Sequence, residues 1–95
     1  MELEQLRIFV AVARCGSFSL GAKKLYISHS TTSRAVAALE AELGVRLLER
    51  GNRVLGLTAA GECLLEEAEA LLSAAEESAE RVRAAAEERE KEKGE

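Results

Sequence analysis

The sequence predicts a mainly α-helical fold with one short β-hairpin and a long C-terminal helix. Three observations predict it. Apolar residues recur at helical spacing through the first 45 residues, punctuated by Gly16 and Gly44. The pattern then switches to short β-prone runs around Gly51-Asn52. After Thr58 an Ala/Glu/Leu-rich stretch runs to the end with one early glycine, Gly61, and no proline before Gly94. The 95 residues are enough for one small domain.

Helix one is expected over residues 3–14. Leu3, Leu6, Phe9, Val10 and Ala13 form its inward stripe, and Gly16 follows as a stop. Ser17 and Ser19 offer capping oxygens to a second helix over about 19–25, with Ala22 and Leu25 inward and Lys23 and Lys24 outward. Ile27 packs in the turn. Ser28 caps helix three, about 29–43, whose inward stripe is Thr32, Val36, Leu39 and Leu43; Gly44 ends it. Val45 to Arg50 and Arg53 to Leu57 read as two strands joined at Gly51-Asn52. Thr58 caps a fourth helix that runs from 59 and frays in the charged residues Glu87 to Glu95. The domain division expected is 1–58 for the compact part and 59–95 for the helix.

Two short helices joined by a tight turn, with a hairpin beside them, make a winged helix-turn-helix. The outer face of helix three carries His29, Ser30, Ser33, Arg34 and Ala37. Small residues let such a helix approach a major groove, and an arginine can bond guanine bidentately or clamp a phosphate. Ser28 and Thr31 lie at the helix N-terminus, where backbone amides also suit phosphate. Arg46, Arg50 and Arg53 make the hairpin basic. Ser28, His29, Ser30, Thr31, Ser33, Arg34, Arg50 and Arg53 are therefore the candidate DNA contacts.

The formal charge of −4 opposes this reading until it is resolved along the chain. Residues 1–61 hold 8 Lys/Arg and 5 Glu; residues 62–95 hold 5 Lys/Arg and 12 Glu. The first part can face phosphates and the second cannot easily do so. One histidine, no aspartate and no nucleophile–base set argue against an enzyme, and no cofactor or metal site is expected. Cys15 and Cys63 read as small buried or half-buried thiols. The N-terminus lacks the pattern of a secretory signal, which places the protein in the cytoplasm, and no membrane partner is expected.

Several segments resemble the LysR-type transcriptional regulators. They are Ser17-Phe18-Ser19-Leu20-Gly21-Ala22-Lys23-Lys24-Leu25, Ser33-Arg34, Leu39-Glu40, Leu43-Gly44, Leu47-Leu48-Glu49-Arg50 and Leu57-Thr58-Ala59-Ala60-Gly61. The likeness spans about residues 3–70. It implies a winged helix-turn-helix and a linker helix that pairs with its counterpart, antiparallel, in a dimer. It further implies DNA contacts at positions matching His29, Ser30, Ser33 and Arg34, and a wing contact at Arg53. The sequence departs from the family where glutamine is common at His29, proline near Ser30, and Ala-Ala at Gly21-Ala22. The family's C-terminal inducer-binding domain has no counterpart here, so inducer control is not carried over; a naturally short relative is favoured over a piece of a longer protein.

Residues 65, 68, 72, 75, 79, 82 and 86 place apolar side chains on one heptad track of the last helix. Leu65, Ala68, Leu72, Ala75, Ala79 and Val82 are the expected dimer seam. The protein is thus expected to be a sequence-specific double-stranded DNA-binding regulator acting as a homodimer. The alternative is an interaction module that forms mixed dimers with a full-length relative and modulates its DNA binding.

Overall fold

The structure, a computed structural model, describes residues 1–50 and 56–93. The elements follow in the order α1 (Leu3–Cys15), α2 (Phe18–Leu25), α3 (His29–Leu43), β1 (Leu48–Glu49), β2 (Gly56–Leu57) and α4 (Ala59–Lys93). Their boundaries follow from local chemistry. The backbone N–H of Glu2 donates to Gln5 Oε1 at 3.0 Å and opens α1. Gly16 closes it in the left-handed region, donating its N–H to Val12 O at 2.9 Å. Ser17 Oγ accepts from Leu20 N–H to start α2. α3 ends at Gly44, and the N–H groups of Gly44 and Val45 both return to Glu40 O.

α1 packs against α2, α3 and α4. Leu6 and Phe9 are buried as the periodicity predicts, Val10 and Ala13 lie at the edge of the core, and Leu3 is exposed. Ile8, Ala11 and Val12 are buried as well. A single inward stripe cannot reveal them, because neighbours cover α1 on several sides. α3 contributes Thr32, Val36 and Leu39 to the core, while Leu43 is exposed at its end. Thr32 is fully buried, and its hydroxyl donates to Ser28 O at 2.9 Å, so its polar atom is satisfied.

The hairpin is shorter than the two predicted runs. β1 and β2 pair antiparallel, with Leu48 opposite Leu57 and Glu49 opposite Gly56. Residues 45–47 are not strand because two of their N–H groups are engaged elsewhere: Val45 N–H reaches Glu40 O and Leu47 N–H donates to Glu40 Oε2 at 2.8 Å, which leaves one bond, Thr58 N–H to Leu47 O at 3.1 Å, where the ladder would continue. The expected turn at Gly51-Asn52 and the wing residue Arg53 lie outside the described residues.

Thr58 joins the hairpin to α4. Its hydroxyl donates to Arg46 O at 2.6 Å and accepts from Gly61 N–H at 3.0 Å. Leu64 and Ala68 of α4 are buried in the same core as α1 and α3, with Leu65 partly covered. The core therefore continues past residue 58 into the first turns of α4. On the surface, Arg14 brackets Glu69 through Nε at 3.1 Å and a second guanidinium nitrogen at 2.5 Å. The hydrogen bond from Arg14 holds the Glu69 carboxyl below the usual carboxylate range, against a smaller opposing effect of burial. Its contribution to stability is present above the ordinary glutamate range and is lost as pH falls through the lowered value. Both partners are exposed, so that contribution is small.

Beyond Leu72, α4 leaves the domain and gives the molecule a long axis of 64 Å. The helix continues through Glu87 to Lys93, where the charge run predicts fraying. Residues 62–93 contain neither glycine nor proline and are rich in alanine, glutamate, arginine and lysine, which favour helix without tertiary support. Cys15 is half-buried, but Cys63 is exposed, contrary to the expectation of two covered thiols. Among the described residues no helix is long and apolar enough to cross a membrane, and no cluster of His, Cys, Asp or Glu could hold a metal ion.

Candidate nucleic-acid interface

The first turn of α3 is built by Ser28. Its Oγ accepts the Thr31 N–H at 3.1 Å and its hydroxyl donates to Thr31 Oγ1 at 2.8 Å. This spends the Ser28 hydroxyl on the cap and leaves the Thr31 hydroxyl hydrogen for an outside acceptor. His29 opens the helix proper and is exposed. Its ring lies 5.9 Å, centroid to centroid, from that of Phe18 at an angle of 48°. Phe18 is the first residue of α2, so this contact sets the first turns of α2 and α3 side by side. His29 Nδ1 is 3.4 Å from Ser33 Oγ, one turn along the same face.

Ser30 and Arg34 are exposed, and Ser33 is half-buried between them and His29. Ala37 continues the face one turn further and is also exposed. The result is a strip of short side chains from which Arg34 projects. No acidic residue occurs on α3 before Glu40. A carboxylate in this strip would repel phosphate, so the strip suits an anionic groove.

The hairpin arginines do not behave alike. Arg50 donates to Glu40 Oε1 at 2.9 Å, and the Glu40 side chain is only 10% exposed. Glu40 also accepts the Leu47 N–H, so one carboxylate ties α3 to the approach of the hairpin and to its first strand end. Arg50 is therefore a brace, although it is exposed and only one of its guanidinium nitrogens is committed to Glu40. Arg46 is exposed on the open surface between α3 and the hairpin, beside Ala37 and Ala41.

Tyr26 is a feature that apolar spacing does not flag. It caps α2 in the left-handed region at φ 58° and is 96% exposed, in the turn between the two helices. Ile27 N–H bonds to Ala22 O at 3.0 Å across this turn, and the Ile27 side chain packs on the core. That reverse bond fixes the turn without a glycine. A left-handed tyrosine costs about 1 kcal/mol relative to glycine, and its one sequence signal is the lack of glycine or asparagine where a tight turn is needed.

The expected dimer seam divides in two. Ala68 is 0% exposed inside the domain's own core, and Leu65 packs against that core. Ala68 is therefore a core residue rather than a seam residue, because the domain's own core, to which α4 packs mainly through α1, already covers it. Leu72 and Ala75 are half-exposed, Ala79 is exposed and Val82 is 70% exposed. Beside the start of this strip, an apolar groove of about 410 Å³ is lined by Met1, Leu43, Val45, Cys63, Leu64 and Leu71, among others.

Comparison with known proteins gives a consistent picture. Residues 3–62 match the family described as "Bacterial regulatory helix-turn-helix protein, lysR family". The HTH-type transcriptional regulator TcbR of Pseudomonas sp. (strain P51) is 49% identical over 86 residues, which is 90% of this chain and 29% of TcbR. The Hca operon transcriptional activator HcaR of Escherichia coli (strain K12) is 47% identical over 83 residues, 87% of this chain and 28% of HcaR. The chain thus spans under a third of the length of these two relatives. Among solved structures, the CbnR DBD–DNA complex superposes with a TM-score of 0.87 at 49% identity, covering 90% of this chain and 99% of that one. The BenM DBD complex with catB site 1 DNA gives 0.84 at 41% identity, covering 87% and 92%.

Proposed function

The chain belongs to the lysR family of bacterial regulatory helix-turn-helix proteins, a family of transcriptional regulators rather than enzymes, and we propose that it reads double-stranded DNA as a homodimer in the cytoplasm. α3 enters the major groove with His29, Ser30, Ser33 and Arg34 toward the bases. Ser28 and Thr31 line the phosphate side, and Arg53 and Arg50 serve the wing. The observation that carries this reading is the exposed, acid-free strip on α3 from which Arg34 projects. The DNA complexes of CbnR and BenM DNA-binding domains, so similar in fold, support it.

Arg34→Ala is expected to weaken specific binding by about 1–3 kcal/mol and to relax sequence preference at one position. Fluorescence anisotropy on a selected site checks this. Affinity should also fall steeply as salt rises, since phosphate contacts release counterions. Absence of binding to any duplex at about 50 mM salt, where electrostatic binding is strong, would defeat the proposal.

The homodimer forms through the outer part of α4. Leu72, Ala75, Ala79 and Val82 are its seam, half-exposed over the first two and open to solvent at Ala79 and Val82. Charge favours antiparallel pairing. Glu66, Glu67 and Glu69 lie near the start of α4, and Arg81 and Arg83 near its far part. A parallel pair sets the glutamates against their own copies. An antiparallel pair sets the basic far part of each helix toward the acidic start of its partner. Val82→Glu should weaken the dimer about tenfold or more, the equivalent of at least ~1.4 kcal/mol. It should leave the monomer fold intact, because Val82 is exposed there. Sedimentation equilibrium reads the difference, and an unchanged dimer constant would place the interface elsewhere. A wild-type homodimer that binds DNA alone would also argue against a role restricted to mixed dimers.

A further inference from the structure

We propose that Arg46 is a phosphate-binding residue, and that the open groove beside it at the C-terminal end of α3 takes one backbone phosphate of each half-site. The inference rests on the DNA-binding reading above and adds where the sugar–phosphate strand crosses the domain. The groove, of about 430 Å³, is lined by Ala37, Glu40, Ala41, Gly44, Arg46 and Arg50, among others. Its floor continues the strip on α3. Ser30, Arg34, Ala37, Ala41 and Gly44 follow one another at alternating steps of four and three residues, which keeps them on one helical face.

Length decides what this end of the strip meets. A helix rises ~1.5 Å per residue, so Gly44 stands ~15 Å along the axis from Arg34. The major groove is ~12 Å wide. A helix that enters by its N-terminal residues therefore leaves the groove before Gly44, and its last turn meets the sugar–phosphate strand rather than a base edge.

The chemistry at that end suits phosphate. Arg46 is exposed, and none of the ion pairs among the described residues uses it. Its backbone is nonetheless fixed. The peptide group between Arg46 and Leu47 is held at both ends: its carbonyl accepts the Thr58 hydroxyl at 2.6 Å, and its N–H donates to Glu40 Oε2 at 2.8 Å. A cation on an anchored backbone has less freedom to lose on binding. Arg50, which lines the same groove, commits one guanidinium nitrogen to Glu40 and keeps the others. Glu40 is the only acid among the described lining residues. It is 10% exposed and both its oxygens are engaged, one by Arg50 and one by Leu47 N–H. Two arginines against one carboxylate leave the groove positive.

Arg46→Ala, Arg46→Lys and Ala41→Glu test the proposal, all at exposed positions, so circular dichroism should not change. Each is titrated with a selected site and with an unrelated duplex at several salt concentrations. Arg46→Ala should weaken both duplexes by the same factor, about three- to tenfold per half-site, the scale of one net hydrogen bond. It should also lower the salt slope by about one per protomer. Arg46→Lys should keep the slope, and Ala41→Glu should weaken both duplexes alike. Neutral methylphosphonate placed along the backbone should find one phosphate per half-site whose loss weakens wild type and leaves Arg46→Ala unaffected. Wild-type affinity and slope in Arg46→Ala would overturn this inference with DNA binding intact. A loss confined to one base position would make Arg46 a base contact and overturn it equally. Failure of wild type to bind any duplex would overturn the DNA-binding reading itself.

Discussion

Gly61→Ala is expected to destabilise the protein by about 3 kcal/mol or more, a large part of what a small domain has to lose. A Cβ at residue 61 would lie 2.0 Å from the backbone oxygen of Leu47, 3.0 Å from its carbonyl carbon and 3.2 Å from Leu57 Cδ2. The nearest atom is backbone, so no rotamer change relieves the overlap. Either α4 or the approach to the hairpin must shift. A shift loosens the Thr58 N–H bond to Leu47 O and the Thr58 hydroxyl bond to Arg46 O. Gly44→Ala is the control. Its φ is +69° and nothing lies within 4 Å of the added carbon, so it should cost only about 1 kcal/mol of backbone strain. Urea unfolding followed by circular dichroism compares the two. Equal losses would show that the approach to Leu47 is not the controlling feature.

Phe9→Ala should cost about 3–5 kcal/mol. Phe9 is 0% exposed and the largest of the fully buried side chains. It lies in the middle of α1, the helix that α2, α3 and α4 all touch. Removing its ring leaves a cavity that no single neighbour can close. The midpoint of thermal unfolding should fall by well over ~10 °C for a domain of this size. A loss below about 1 kcal/mol would mean that the helices collapse into the space, and the packing around α1 would then be softer than its burial suggests.

Much of this arrangement is legible in the sequence, for reasons that differ by element. Gly16, Ser17, Ser28 and Gly44 act on their nearest neighbours, so they mark helix ends without any knowledge of tertiary structure. Leu6, Phe9, Val36 and Leu39 declare themselves by spacing. The sequence is blind where the answer depends on what lies opposite. Ala68 sits on a perfect heptad track, yet periodicity cannot tell a helix partner from the protein's own α1. Val45 to Leu47 have strand propensity, and Glu40 overrides it by taking two of their N–H groups. Arg50 looks like any wing arginine until the chain folds Glu40 against it, ten residues away.

The candidate site shows the same division. His29, Ser30, Ser33 and Arg34 fall on one helical face by count alone. The contact of Phe18 with His29 joins two helices across a turn, and nothing in the local sequence requires it. Tyr26 escapes notice because a tyrosine is not the residue expected in a left-handed turn.

Tyr26 also decides how this molecule can be seen optically. The chain has no tryptophan and one tyrosine. That ring stands almost wholly in solvent in the folded state, so its surroundings change little when the core melts. Tyrosine emission is therefore nearly silent on unfolding, which must be followed through helix content. It is instead a built-in reporter for the turn between α2 and α3, and a change in its anisotropy or quenching would register events at that surface without a label.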